Sequence, residues 1–410
     1  MNKLNNIIYY VSKNNDFYKK IFSKHVIENN EIYSFPILTR EELQKNKFNM
    51  FSHSYKAKYY HNQLKKQSSS GSTGIPITVY WDYKDYYSSM LPLWRKRYEY
   101  YGIKPNDRCI TFTLNAYNIE KSNELYYLKV NNNMLTINMS LINENNSYKN
   151  IISIINEFRP KWLYIQPYVL EKLYNAYKSM DLKLPENLIY IESVGEILKN
   201  DLKENVQNYF DIKVANLYGS EEMNGIAYEC PYNVMHVLSD IVFVECLDIG
   251  VINNVGEGEA IITSLTNKAM PLIRYNQGDL IELDGEYTCK CGYHSPIIKN
   301  IKGRKLESII INKDFEINSF TLLEIMSEVN NILNNIILEY KYEFIKKIRK
   351  LRCYIKLSDD KKNWFSTAKN TIIDVFNKKI TTSKDIILEV IELGESHNYS
   401  KKYKIVEIIE

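Results

Sequence analysis

The feature that most constrains the fold is an alternation of strand and helix patterns between residues 150 and 223. The buried-strand runs WLYIQ, LIYIESV and KVANLY are separated by patterns in which apolar residues recur at helical spacing. Strands joined through helices in this way predict a parallel α/β sheet. Polar, glycine-containing turns follow the second and third strands, at 195–196 and 218–220. Because ligands of open α/β sheets bind beyond the carboxyl ends of strands, we expect both turns at one crevice.

Size and charge exclude several classes of protein. The chain has 410 residues, which favours two domains. Lys and Arg number 53 against 49 Asp and Glu, and a net charge of +4 is too mild to indicate a nucleic-acid or membrane-surface protein. No apolar run approaches the roughly 18 residues of a membrane span. The first twenty residues lack a signal-peptide pattern and the six cysteines are too sparse for a disulfide scaffold, so we expect a cytoplasmic protein.

Two further regions differ from the parallel section. Residues 236–300 contain short strand patterns separated by turns, which predicts a mainly antiparallel section. After Gly303, strand and helix patterns form a compact α+β unit. We therefore predict an α/β protein with a large N-terminal domain, residues 1–302, in which mixed and parallel sheets are flanked by helices and joined to a β-rich subdomain. A small mobile α+β C-terminal domain is predicted for residues 303–410.

Three segments carry residue types suited to a nucleotide, although each has a simpler explanation. Segment 68–74 is dense in hydroxyls and glycine, which favours an anion cradle, yet an exposed turn explains it equally well. Segment 218–222 places a carboxylate at a strand end, where it suits Mg²⁺ or merely a helix start. Segment 274–279 pairs the Arg274 guanidinium with the Asp279 carboxylate across a glycine turn. That carboxylate can accept two ribose hydroxyls, or the pair is a weak surface contact.

Cysteine and histidine spacing indicates a metal site independent of the nucleotide segments. The candidate ligands are Cys230, His236, Cys289 and Cys291. Two thiolates one residue apart, with a Cys and a His from another hairpin, can close a tetrahedral Zn²⁺ site. Buried reduced thiols are the simpler explanation, and His294 is a competing ligand. Four protein ligands leave no open position, so such a zinc would hold section 228–298 together and take no part in catalysis.

Taken in order, SSGSTGIP, YGSEE, RYNQGD, GRK and a final Ser-Lys-Lys resemble the adenylate-forming ligase superfamily. FPILTREELQKN and SVGEIL are similar to the phenylacetate–CoA ligase branch and its relatives found near capsular polysaccharide genes. The resemblance covers essentially the whole chain. It implies an enzyme that activates a small carboxylic acid with ATP to an acyl adenylate and passes the acyl group to an acceptor, with coenzyme A as the default. It also implies a structural zinc at the cysteine–histidine candidate.

The resemblance assigns roles by position. The β- and γ-phosphates of ATP fall to Ser70, Gly71, Ser72, Thr73 and Gly74. Adenine and the α-phosphate fall to Gly195, Glu196, Tyr218, Gly219 and Ser220. Glu222 would carry Mg²⁺, Asp279 would bind the ribose with Arg304 assisting from a hinge at 303–306, and Lys402 would be the catalytic lysine.

Several positions depart from the family pattern. Ile75 replaces a lysine after the phosphate loop, Glu221 stands where Thr or Ser is usual, and Leu306 occupies a hinge position where Asp or Lys is common. Lys401 replaces a glycine, which leaves Lys401 as an alternative to Lys402. These departures keep open a homologue that binds nucleotide without turnover. An amine or hydroxyl acceptor, in polysaccharide or secondary-metabolite biosynthesis, is a second alternative, and the oligomeric state, a homodimer included, is also open.

Overall fold

The computed structural model describes residues 3–21, 32, 35–68, 77–113, 127–138, 147–248, 251–253, 255–312, 315–334, 336–380, 386–393 and 405–409. The N-terminal part consists of short helices beside one antiparallel strand pair. The helices are α1 (Lys3–Asn14), α2 (Asp16–Ile21), α3 (Arg40–Lys45) and α4 (His53–Tyr60), and the strands are β1 (Lys65–Ser68) and β2 (Thr78–Trp81). A capping box between Thr39 and Glu42 starts α3, which fixes where the arginine at its first position is presented.

The parallel section follows and confirms the prediction for residues 150–223. Its elements are α5 (Tyr83–Tyr101), β3 (Cys109–Thr113), β4 (Tyr127–Asn131), β5 (Met134–Asn138), α6 (Ser147–Phe158), β6 (Trp162–Ile165), α7 (Pro167–Ser179), β7 (Tyr190–Val194), α8 (Asn200–Phe210) and β8 (Lys213–Ser220). Strands β5, β3, β6, β7 and β8 are neighbours in that order, and each pair is parallel. Their carboxyl ends therefore lie along one edge.

The predicted antiparallel section is also confirmed. It comprises β9 (Asn224–Glu229), β10 (Met235–Val237), β11 (Val242–Asp248), β12 (Val251–Asn253), β13 (Gly256–Ser264), β14 (Tyr275–Thr288) and β15 (His294–Arg304). Antiparallel pairing of β8 with β9 joins the two sections into one sheet. Within the described chain this sheet has 13 strands in the order β12-β11-β13-β14-β15-β10-β9-β8-β7-β6-β3-β5-β4.

One predicted pairing in this section is wrong. Arg274 does not pair with Asp279, because it lies just before β14 and points into the core beside β11. Its Nε and Nη2 donate to the two carboxylate oxygens of Glu245 at 3.2 and 3.1 Å, and both side chains are buried. Asp279 instead lies opposite Arg304 in the antiparallel register of β14 and β15.

The C-terminal part has a small sheet covered by helices. Its elements are β16 (Ile309–Asn312), β17 (Phe315–Ile317), α9 (Ser319–Ile332), β18 (Ile337–Ile345), β19 (Lys350–Leu357), α10 (Phe365–Lys379), β20 (Ile387–Glu392) and β21 (Val406–Ile409). Among the strands that are described, four form a sheet in the order β20-β19-β18-β21. The buried residues of one hydrophobic cluster all come from 309–406, so this part has a core of its own. The predicted α/β fold class is confirmed.

Candidate active site

A cavity of about 740 Å³ opens at the carboxyl ends of the parallel strands. Eight residues predicted to bind nucleotide or magnesium line it: Gly195, Glu196, Tyr218, Gly219, Ser220, Glu222, Asp279 and Arg304. They come from four separate parts of the sequence, so the expected crevice is present, while the role of each residue stays a prediction. Ser68 and Ile405 line the same cavity. The predicted phosphate loop, Ser70 to Gly74, and the predicted catalytic Lys402 lie outside the described residues.

Two glycines of the cavity wall are required by geometry. Gly195 has a φ of +83°, which side chains with a Cβ rarely adopt. Gly219 lies so close to β9 that a Cβ would come within 2.4 Å of the carbonyl oxygen of Asn224. The chain therefore presents bare backbone at both turns, which lets a ligand approach closely.

Tyr218 and Asp279 form a hydrogen-bonded network at one side of the cavity. The Tyr218 hydroxyl donates to Asp279 Oδ2 at 2.8 Å, and Gln277 Nε2 donates to both groups, at 2.7 and 2.8 Å. Arg304 Nε lies 3.5 Å from the other carboxylate oxygen, Oδ1. Burial, and then the nearby Asp279 carboxylate, raise the pKa of Tyr218 well above its ordinary value, so the phenol stays a neutral donor. The network fixes the orientation of Asp279.

Glu222 is a buried carboxylate in the same cavity, with 5% of its surface exposed. Burial raises its pKa above the ordinary value of 4.5, whereas Arg40 and Arg304 act to lower it. Arg40 also lines the cavity. A carboxylate held in a low-dielectric site beside phosphate-binding candidates has the chemistry that a magnesium ion requires.

The four predicted metal ligands converge at the end of the β9–β10 and β14–β15 hairpins. One ligand atom from each of Cys230, His236, Cys289 and Cys291 lies within 4.8 Å of all the others. The Sγ atoms of Cys230 and Cys289 are 3.7 Å apart, too far for a disulfide. Two sulfurs bound tetrahedrally to zinc at about 2.3 Å would lie about 3.8 Å apart, so this spacing fits the ion. The competing candidate, His294, is exposed and lies outside the cluster.

The histidine of this cluster is held in a suitable state. Burial lowers the pKa of His236 to about 4, so its imidazole is neutral, and Lys96 acts in the same direction. Nδ1 lies 3.2 Å from Ser295 Oγ, whereas Nε2 faces Cys291 Sγ at 3.4 Å. Such a partner on the far nitrogen orients a metal-ligating histidine. The cluster therefore fits a closed structural zinc site.

The C-terminal part closes one side of the cavity. Ser319, Glu339 and Tyr340 line it from α9 and β18. Across the predicted domain boundary, Glu339 forms an ion pair with Lys172 of α7 in which both side chains are largely buried. Ser327 also donates a hydrogen bond to Asp201 at 2.7 Å. These contacts hold α9 and β18 against helices α8 and α7 of the parallel section.

Sequence reasoning missed one buried cation of the cavity, Arg97. It lies on the same stripe of α5 as the buried residues Ser89 and Leu93, at i, i+4 and i+8. That spacing is a signal, because a charge on a buried helical face needs a partner. The partner, Glu192, is 95 residues away, so local pattern did not identify it.

Two curated proteins are similar to this chain in sequence. No family model matches the chain. It is 24% identical to the protein CapK of Staphylococcus aureus over 302 residues, which are 72% of this chain and 65% of CapK. It is 28% identical to the phenylacetate-coenzyme A ligase of Thermus thermophilus over 168 residues, 39% of this chain and 38% of that ligase. The matches thus span less than two thirds of either relative.

Solved structures agree on the fold. The chain superposes on 2-hydroxyisobutyryl-CoA ligase in the postadenylation state, in complex with 2-HIB-AMP, with a TM-score of 0.74 at 15% identity, covering 98% of this chain and 87% of that one. Against the same ligase in the thioesterification state, with 2-HIB-AMP and CoA, the TM-score is 0.59 at 15% identity, covering 99% and 88%. The fold is that of the adenylate-forming ligases. The sequence matches to CapK and to the phenylacetate-coenzyme A ligase confirm the predicted resemblance to the phenylacetate–CoA ligase branch.

Proposed function

We propose that the protein is an AMP-forming ligase that activates a carboxylic acid with ATP and transfers the acyl group to coenzyme A. One observation carries the proposal: Tyr218, Asp279 and Arg304, from three separated stretches, form one polar network inside a cavity at the strand ends. The relatives named as CoA ligases support the reaction class. In the part of the chain that is described, no helix is both long and apolar enough to span a membrane.

The nucleotide roles follow from the cavity wall. The Asp279 carboxylate lines the cavity in a fixed orientation, so it is suited to accept hydrogen bonds from both ribose hydroxyls. The guanidinium of Arg304 offsets part of its negative charge. The turns at 195–196 and 218–220 offer bare backbone for adenine and the α-phosphate. The loop from Ser70 to Gly74 is assigned to the outer phosphates because Ser68, just before it, lines the cavity.

Catalysis must bring two anions together. A carboxylic acid is ionised at pH 7, since its reference pKa is about 4, so it needs no general base. Its attack on the α-phosphate is opposed by charge, and positioning with charge neutralisation has to overcome that repulsion. Glu222 is the residue that would hold Mg²⁺, and the ion would supply positive charge to the phosphates. Lys402 is assigned the second cation, and Ile405 nearby lines the cavity.

The acyl transfer step is assigned to a second arrangement of the two parts of the chain. We place the boundary at 302/303, within the last residues of β15, with Gly303 at a φ of +95°. The higher TM-score to the postadenylation state supports an adenylate-forming arrangement here. Rotation about 303–306 would then break the Lys172–Glu339 pair and admit the acceptor.

A structural zinc completes the proposal. The donor set of three thiolates and one neutral imidazole, with the 3.7 Å sulfur spacing, supports Zn²⁺ at Cys230, His236, Cys289 and Cys291. None of the six cysteines forms a disulfide, which supports a reducing, cytoplasmic compartment.

Product analysis tests the proposal. Protein is incubated with ATP, Mg²⁺ and a panel of carboxylic acids, first alone and then with CoA, with amines and with sugars. We expect AMP and pyrophosphate in every productive reaction, and an acyl thioester only with CoA. Transfer to an amine or hydroxyl and not to CoA would show that coenzyme A is not the acceptor. ATP binding without AMP formation for every acid would show that the protein is a non-catalytic homologue.

A further inference from the structure

The cavity extends well below the nucleotide-binding candidates. It continues between α5 and one face of the parallel sheet, past Val194 and Gln166 at the strand ends, down to Trp162 and Cys109 at the strand beginnings. In the sheet register Cys109, Trp162 and Tyr190 form one row, and Tyr164 and Glu192 the next. Four residues along a strand span about 13 Å, so this extension is a deep tunnel.

A buried ion pair forms the floor of this tunnel. Arg97 Nε donates to Glu192 Oε2 at 2.9 Å, and Arg97 Nη2 donates to Oε1. The tyrosine hydroxyls of Tyr190 and Tyr228 lie 3.1 and 3.2 Å from the same Oε2. Glu192 is fully buried and Arg97 is 3% exposed, so the two charges cancel within the floor.

Arg97 retains hydrogen-bonding capacity that faces the tunnel. Its guanidinium lies over the rings of Trp94 and Trp162, at 4.4 and 5.1 Å from the centroids, which fixes its plane. Arg97 Nη1 makes no hydrogen bond within the described chain. It is also not one of the fully buried atoms that lack a partner, so it is accessible from the cavity. A donor held in this way, between aromatic walls, is a specific recognition element.

We propose that the acid substrate carries a neutral hydrogen-bond acceptor, such as a hydroxyl, ether or carbonyl, at its distal end, and that Arg97 Nη1 binds it. This inference rests on the proposed function, which assigns the α-phosphate to the turns at the strand ends, so the carboxylate that attacks it lies there too. The acceptor then lies two to four strand residues deeper, about 7–13 Å from the carboxylate. A hydrocarbon tail would leave the buried donor unpaired, and a second carboxylate would bring a net charge beside an already neutral pair.

Two matched series of acids test the inference. One is 3-phenylpropanoate with its 4-hydroxy and 4-carboxy derivatives, and the other is octanoate with its ω-hydroxy and ω-carboxy derivatives. Each acid is measured for kcat/KM in ATP–pyrophosphate exchange and for stabilisation of the protein against thermal unfolding. In at least one series we expect the hydroxylated acid to exceed the other two by about 10- to 150-fold in kcat/KM, the range of one hydrogen bond to a charged group.

Substitution of Glu192 in the floor is expected to reverse this preference. Glu192→Gln keeps the shape and the tyrosine contacts but leaves the positive charge of Arg97 uncompensated. We expect this variant to prefer the carboxylated acid over the hydroxylated one. The matched control is Glu245→Gln, which removes the acid from an equally buried Arg–Glu pair outside the cavity. It should lower stability and leave the ratio between acids unchanged. The double variant Arg97→Met/Glu192→Gln, which buries no net charge, should accept the unsubstituted acid.

The outcomes separate this inference from the function on which it rests. Equal or better binding of the unsubstituted or dicarboxylic acids in both series overturns the inference, whether or not exchange occurs. Tight binding of a hydroxylated acid without exchange for any acid overturns the ligase function and leaves the tail site standing. If Glu192→Gln does not fold, the wild-type panel and the double variant still decide the matter.

Discussion

Replacing Asp279 with alanine is the perturbation whose size the structure best defines. Its carboxylate accepts hydrogen bonds from Tyr218 and Gln277 at 2.8 Å and pairs with Arg304. If it also accepts two ribose hydroxyls, the variant loses two hydrogen bonds to a charged group, each worth about 1.5–3 kcal/mol. The total of about 3–6 kcal/mol corresponds to a loss of roughly 10²- to 10⁴-fold in ATP affinity.

The assay is equilibrium binding of ATP, with KM for the acid measured separately. Asp284→Ala is a matched control, because Asp284 lies on the same strand and pairs across to Lys299 on β15, outside the cavity. We expect Asp279→Ala to weaken ATP binding by the stated factor and to change the KM for the acid little. The control should leave both unchanged. Unaltered ATP affinity in a folded Asp279→Ala protein would refute the ribose assignment.

Three further predictions concern the metal, the pH dependence and the lysine. Purified protein should contain one zinc per chain by elemental analysis, and zinc-free wild-type protein would contradict the site. His236→Ala should abolish zinc binding. Ser295→Ala should weaken the zinc affinity about 10- to 100-fold, measured against competing chelators. Because burial raises the pKa of Glu222, its ionised form is lost at a higher pH than for an ordinary glutamate, so exchange should fall as pH falls through that raised pKa. Arg40→Leu should move the acid limb of the pH profile to higher pH, because Arg40 acts to lower this pKa. An unmoved limb would show that Glu222 is not the group that titrates there. Lys402→Ala should lower adenylation about 10²- to 10³-fold yet spare transfer from a supplied acyl adenylate, and an equal loss of both half-reactions would show the assignment wrong.

The sequence predicted the parallel section because its signals are local. Strands β6, β7 and β8 are short apolar runs, and the helices between them bury one face. Glycine-containing turns come directly after β7 and β8 in the sequence, so the position of the crevice at the strand ends could be predicted. The zinc ligand candidates could also be predicted, because three of the six cysteines and His236 lie in two short segments, 230–236 and 289–291.

What the sequence did not reveal depends on contacts between distant segments. Pairing of β8 with β9 merges the parallel and antiparallel sections into one sheet, although each section has its own pattern. Arg274 is joined to Glu245, and Arg97 to Glu192, by tertiary packing over 29 and 95 residues. Strand β18 was missed as well, since its polar, tyrosine-rich sequence lacks a clear apolar run. Such partners are set by the geometry of the core and leave no local spacing.

The most direct test of the central claim is acid-dependent exchange of labelled pyrophosphate into ATP. We expect exchange that requires both Mg²⁺ and a carboxylic acid, proceeds without CoA, and is lost in Asp279→Ala but kept in Asp284→Ala. Nucleotide binding with no exchange for any acid, or release of ADP in place of AMP, would contradict it.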